Sequence, residues 1–144
     1  MNKAKRIIFD SNIWISFAIG KRLNELKIAF SHPKVEVFVC QKLLVEVSET
    51  IQKPKFAKYI STERKEMLFD IIKACHWVNI EEQISLSRDP KDDFLLDLAR
   101  TINADFLITG DDDLLVIKNY HHTNIISFNS FMAFMDTIDL LPSV

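Results

Sequence analysis

The chain has 144 residues, a net charge of -2, and 48% hydrophobic against 26% charged residues. That is the ordinary size of one domain and apolar enough to bury a real core, so a single domain over residues 1–144 is expected. Two glycines and four prolines leave no room for long linkers or low-complexity tracts, and no apolar run approaches the roughly 20 residues of a membrane span.

The basic start Met1–Arg6 is followed by an apolar run that Asp10 interrupts. That pattern is unlike a signal peptide, and a cytoplasmic protein is expected. Arg6–Asp10 reads as a short buried strand ending in a carboxylate. Ser11-Asn12 offers helix-cap chemistry before Ile13-Trp14-Ile15-Ser16-Phe17. A second helix spans Leu23–Phe30, and the β-branched run Val35–Val39 is the second strand. Gln41–Gln52 is helical, with Leu43, Leu44, Val47 and Ile51 on one face, and Pro54 ends it. Ser61–Arg64 looks like a capped start for a helix reaching Ala74. His76–Ile80 is a third strand. Pro90 suits the first turn of a helix running to about Asn103. Asp105–Thr109 is the fourth strand, broken by Gly110, and a short helix follows from Asp111. Asn124–Ile126 is a fifth strand, and Ser127–Met135 closes the chain as a helix.

Strands alternate with helices throughout. The pattern predicts an α/β sandwich around a mostly parallel sheet of four to five strands flanked by helices. In such sheets ligands bind outside the carboxyl ends of the strands. Two cysteines, Cys40 and Cys75, lie far apart and fit no metal spacing, so they are expected as buried free thiols. The charge is uneven. Residues 1–65 hold 13 basic and 6 acidic residues (net +7), and residues 66–144 hold 5 and 14 (net -9). One reading is ordinary solvated faces. The sharper one is a basic surface for a polyanion beside an acidic metal site.

Asp10 ends the first strand, and Asp111 follows the fourth by two residues. If those strands are parallel neighbours, the two carboxylates meet at one edge. Asp92 precedes Leu95 and Leu96 by three and four positions, which puts it on the inward face of its helix near the N-terminal end. Asp93 and Asp97 fall around the side, towards solvent. At about 100° per residue, Glu49 falls nearly opposite the Leu43/Val47/Ile51 face, while Glu46 falls on its flank. Collected carboxylates repel one another unless a cation neutralises them. Oxygen ligands suit Mg²⁺ or Mn²⁺, and no His or Cys cluster speaks for zinc. Asp10, Glu46, Asp92 and Asp111 are therefore the expected ligands. Singly, Asp89, Asp92 or Asp111 is explained as a helix cap; the convergence of four is not. Trp14 has apolar neighbours and belongs in the core rather than against a base. His121 and His122 are expected in an exposed loop with no role.

Four pieces of the chain resemble the PIN-domain family in order: Phe9–Trp14, Leu43–Val47, Arg88–Leu95 and Ala104–Leu114. The Asp-Pro-x-Asp-Asp and Thr-Gly-Asp-x-Asp-Leu forms resemble a subgroup of toxin components from toxin–antitoxin pairs. The resemblance implies the PIN fold, a three-layer sandwich, and metal-dependent endonucleolytic cleavage of RNA. It matches Asp10, Glu46, Asp92 and Asp111 to the family's acidic ligands and Asp113 to a further acidic position. Asn12 and Thr109 match polar positions beside the metal. A homodimer or higher oligomer and an antitoxin partner are implied as well. Lys53, Lys55, Lys58, Arg64 and Lys65 would then hold an RNA backbone. A PIN-like module that binds RNA or protein with little turnover is the alternative. A phosphotransfer receiver domain would want paired acids after the first strand, where this chain has Asp10 alone; an Asp-x-Asp phosphatase fails because position 12 is Asn.

Overall fold

A computed structural model describes residues 4–20, 23–80 and 90–138, except the side chains of residues 23–24 and 90–93. The elements in chain order are β1 (Lys5–Phe9), α1 (Ser11–Ala18), α2 (Leu23–Ser31), β2 (Val35–Val39), α3 (Gln41–Ile51), α4 (Pro54–Ala57) and α5 (Thr62–Lys73). They continue as β3 (His76–Trp77), α6 (Pro90–Ile102), β4 (Phe106–Ile108), α7 (Asp112–Leu115), β5 (Asn119–Tyr120), β6 (Thr123–Ile126) and α8 (Phe128–Ile138).

The sheet has six strands in the order β3-β2-β1-β4-β6-β5. All neighbours are parallel except β5 and β6. The expected mostly parallel sheet flanked by helices is therefore present, with one strand more than the four to five expected. The extra strand is β5. Its two residues form a hairpin with β6 through His121-His122, and His121 takes a positive φ of 54°. Neither two residues nor a His-His turn carries a strand or hairpin signal. The third strand is also shorter than His76–Ile80. Only Phe38↔His76 and Val39↔Trp77 pair, because β3 is an edge strand meeting the last two residues of β2.

The core explains the order. Ile7, Ile8 and Phe9 are all fully buried, as a central parallel strand covered on both faces requires. Phe9 packs edge-on against Trp14, Phe17 and Phe131, with ring centroids 5.4 to 5.8 Å apart. In register, Ile7 lies beside Phe106, and Phe106 meets Phe131 and Phe134 of α8. Ile8 and Leu107 point the other way and are equally buried. On α3, Leu43, Val47 and Ile51 are inside, each contributing about 1.5–3 kcal/mol by burial. Helix α6 ends on Asn103, whose φ of 51° suits a left-handed cap. Ala104 N–H reaches Ala99 O at 2.8 Å and Asn103 N–H reaches Arg100 O at 3.3 Å, the paired bonds of a Schellman stop.

Candidate metal centre at the carboxyl edge of the sheet

Parallel pairing of β1 with β4 aligns Phe9 with Ile108. The next residues of both strands, Asp10 and Thr109, therefore emerge together. Asp10 N–H donates to Ile108 O at 2.9 Å, which fixes its backbone to the neighbouring strand end. Asp10 occupies the N-cap position of α1, yet its side chain makes no capping bond. Instead Thr109 Oγ1 donates to Asp10 Oδ2 at 2.7 Å, and Ser11 Oγ lies 3.3 Å from Oδ1. The cap chemistry expected of Ser11-Asn12 is thus displaced: Ser11 is already inside the helix, and its hydroxyl serves the carboxylate.

Thr109 is fully buried, and its hydroxyl works in both directions. While donating to Asp10, it accepts the Asp111 N–H at 3.0 Å. That bond bends the chain at Gly110 and turns Asp111 into the N-cap of α7, where its Oδ1 accepts from Asp113 N–H at 2.9 Å. One hydroxyl thereby sets the positions of two acidic residues.

A cavity of about 260 Å³ opens at this edge. Asp10, Asn12, Glu46 and Asp111 line it, with Ser11, Thr50, Leu95, Lys53, Lys55 and Phe56 completing the wall. Three of the four expected carboxylates are therefore brought together. Asp10 is the most enclosed, at 5% exposure. Glu46 is half-buried and its Oε2 is shut off from solvent, while Glu49 is exposed. The helix phase that separates these two residues is the phase observed. Asp92 lies in the first turn of α6, but its side chain, like that of Asp93, is outside the described residues. Leu95, three positions on, lines the cavity. Asp97 is half-buried, and Asp113 is exposed and absent from the cavity wall.

Among the described residues, the Asp10 carboxylate is met by two hydroxyls and by no cation. Neutral donors satisfy its hydrogen bonds but not its charge, and a buried charge is costly without a counter-ion. The donor set around the cavity is oxygen throughout, which fits a hard divalent cation. No group of three or more His, Cys, Asp or Glu side chains sits close enough to form a ready-made metal cage among the described residues. The three carboxylates surround a space rather than clasp a point.

Sequence reasoning missed Ser11 as a partner of Asp10; Arg64, expected to hold an RNA backbone, is exposed. In the structure the Arg64 guanidinium donates to Ile19 O at 2.7 Å, closing the end of α1. Trp14 is fully buried, as its neighbours implied. Cys40 and Cys75 are buried free thiols. Burial pushes the Cys75 thiol up to about 12 from an ordinary 9.0 and raises Cys40 as well. His121 and His122 are exposed, though His122 reaches Asp105 Oδ1 at 3.0 Å.

A parallel α/β sandwich with acidic residues gathered at the carboxyl ends of its central strands has its candidate site where ligands of such sheets bind. The family model described as PIN domain matches residues 6–113, a span that takes in every acidic residue discussed above. The chain belongs to the PIN-domain family, whose members are generally nucleases that use divalent metals. No curated protein matches it. Among the described residues, no helix is long and apolar enough to cross a membrane.

Proposed function

We propose that the protein is a metal-dependent endoribonuclease, acting as the toxin of a toxin–antitoxin pair. The observation that carries the catalytic reading is the shared cavity of Asp10, Glu46 and Asp111, the first and last of them tied together through Thr109. Asp92 completes the set from the helix turn before Leu95, and Asp113 extends it outward. These residues would hold Mg²⁺ or Mn²⁺. Such an ion, when bound, activates a water and stabilises charge on a phosphoryl oxygen.

The chain's own groups do the rest. Asp10 is a fixed, enclosed acceptor whose orientation is set by the Thr109 hydroxyl. Asn12, exposed on the cavity wall, offers a neutral amide to a phosphate oxygen. Lys53 and Lys55 bring positive charge to a wall otherwise acidic, so a phosphodiester approaches from their side. The toxin role rests on the resemblance of the Asp-Pro-x-Asp-Asp and Thr-Gly-Asp-x-Asp-Leu segments; a neighbouring antitoxin gene is its direct test. Self-association and a cytoplasmic location belong to the same reading.

The experiment is cleavage of a labelled RNA with Mn²⁺ or with chelator, by the native chain and by Asp10→Asn. Cleavage should require the metal and fall at least 100-fold in the variant, on the scale of removing a group that stabilises transition-state charge. Activity that persists in chelator, or an equally active variant, overturns the mechanism. Metal binding without cleavage across varied RNAs selects the binding module instead.

A further inference from the structure

The segment Lys53-Pro54-Lys55-Phe56-Ala57-Lys58-Tyr59 interleaves three lysines with two aromatic rings on one short helix and its exit. Its first half belongs to the cavity: Lys53, Lys55 and Phe56 are in the wall. Its second half does not. Tyr59 is 59% exposed, and its backbone N–H donates to Phe56 O at 2.9 Å, so its ring follows within one turn of the wall. Lys58 Nζ lies 5.1 Å from the Tyr59 ring centroid, and Lys55 Nζ lies 4.9 Å from that of Phe56.

A single exposed tyrosine is ordinary. This one differs in its company. The ring is open to solvent, a lysine stands over it, and the next turn back along the chain is the rim of an acidic cavity. Aromatic rings alternating with lysines are how proteins hold an unpaired strand: the rings stack bases and the ammonium groups meet phosphates. Asp10, Glu46 and Asp111 outweigh Lys53 and Lys55 in the wall, so a nucleic acid gains from added purchase beside it.

We infer that Tyr59 and Lys58 form a nucleobase-stacking subsite that anchors the strand next to the cavity. The ring stacks an unpaired base, and Lys58 and Lys55 meet the flanking phosphates, which leaves the following phosphodiester over the carboxylates. A base inside a duplex has both faces covered by its stacked neighbours, so the subsite separates unpaired from paired strands. The inference rests on the phosphodiester reading of the cavity. Stacking itself does not distinguish RNA from DNA.

The test is binding without turnover. Affinity of Asp10→Asn for a fluorescein-labelled single-stranded RNA is measured by anisotropy in chelator, beside the RNA duplex and the single-stranded DNA of the same sequence. Adding Tyr59→Ala should weaken both single strands about 10-fold and change the duplex less than about twofold. Tyr59→Phe should stay within about twofold of Tyr, and Lys58→Ala should lower the salt slope by about 1. Because Tyr59 is exposed, the Tyr59→Ala melting temperature should not move. The subsite is overturned if Tyr59→Ala binds single strands as Tyr59 does, weakens the duplex equally, or matters for RNA and not for DNA. In the otherwise native chain, Tyr59→Ala should raise KM for RNA cleavage and leave kcat. A Tyr59-dependent affinity in a chain that never cuts would sink the nuclease reading alone; cleavage with an unchanged KM would sink the subsite alone.

Discussion

Thr109→Val is the most direct probe of how the site is held. Valine keeps the volume and β-branching of threonine but replaces the hydroxyl with a methyl group. Two hydrogen bonds disappear: the 2.7 Å donation to Asp10 Oδ2 and the 3.0 Å acceptance from Asp111 N–H. A hydrogen bond to a charged group contributes about 1.5–3 kcal/mol and a neutral one about 1 kcal/mol. The site is fully buried, so water does not replace the lost partners, and the added methyl offsets only about 1 kcal/mol. The expected net loss is about 1.5–3 kcal/mol, or a fall of roughly 5–10 °C in melting temperature at this size. Urea unfolding of the native chain, Thr109→Val, Asp10→Ala and the double variant closes a cycle. A coupling of about 1.5–3 kcal/mol between the two positions is expected. A loss below about 0.5 kcal/mol with no coupling refutes the linkage.

Gly20 adopts φ +96°, and a Cβ there would land on the Arg64 guanidinium, so Gly20→Ala should cost about 1–3 kcal/mol by thermal melting. Arg64→Ala should lower stability by about 1 kcal/mol yet leave oligonucleotide affinity within about twofold, because that side chain closes α1; paired Lys53→Ala and Lys55→Ala changes should instead cut the salt slope by about 2. The Cys75 thiol stays protonated in the fold up to about 12 but ionises from 9.0 in the unfolded chain. Stability from this group is full below pH 9 and falls as pH rises from 9 towards 12, by about 1 kcal/mol at pH 10. The slope should be smaller in Cys75→Ala than in the native chain, measured by urea unfolding across that range, with the buried Cys40 thiol, raised in the same direction, leaving a remainder.

Periodicity carried much of the architecture. The run Ile7-Ile8-Phe9 is the most buried strand, and Glu46 separates from Glu49 on helix phase alone. Both follow from rules that act within ten residues. Most of the features that were not legible depend on contacts distant in sequence. The resemblance placed Thr109 beside the acidic site, but its bond to Asp10 itself exists only because β1 pairs with β4 across 99 positions. Arg64 reaches Ile19 over 45 positions, and nothing around Arg64 distinguishes it from the lysines that line the cavity. The β5–β6 hairpin turns through His121 at positive φ, where no Gly or Asn announces it. Lys53 and Lys55 carry an ordinary surface pattern, and only the return of α4 beside α3 gives them a wall in common with Asp10.

The acidic residues come from separate elements: Asp10 after β1, Glu46 on α3, Asp111 after β4. None is near another along the chain, so their mutual repulsion arises only on folding and opposes it. The structure limits that penalty in two ways. The most enclosed carboxylate, Asp10, is seated on the rigid pair of central strands and held by hydroxyls, and the others stand around a space rather than in contact. The proposed cation, bound to the folded form alone, would add RT ln(1 + [L]/Kd) to stability, about 2.7 kcal/mol at a hundredfold excess over Kd. The Thr109 hydroxyl ties the strand-end acid Asp10 to the backbone of the helix-start acid Asp111, so the sheet sets the geometry of that pair.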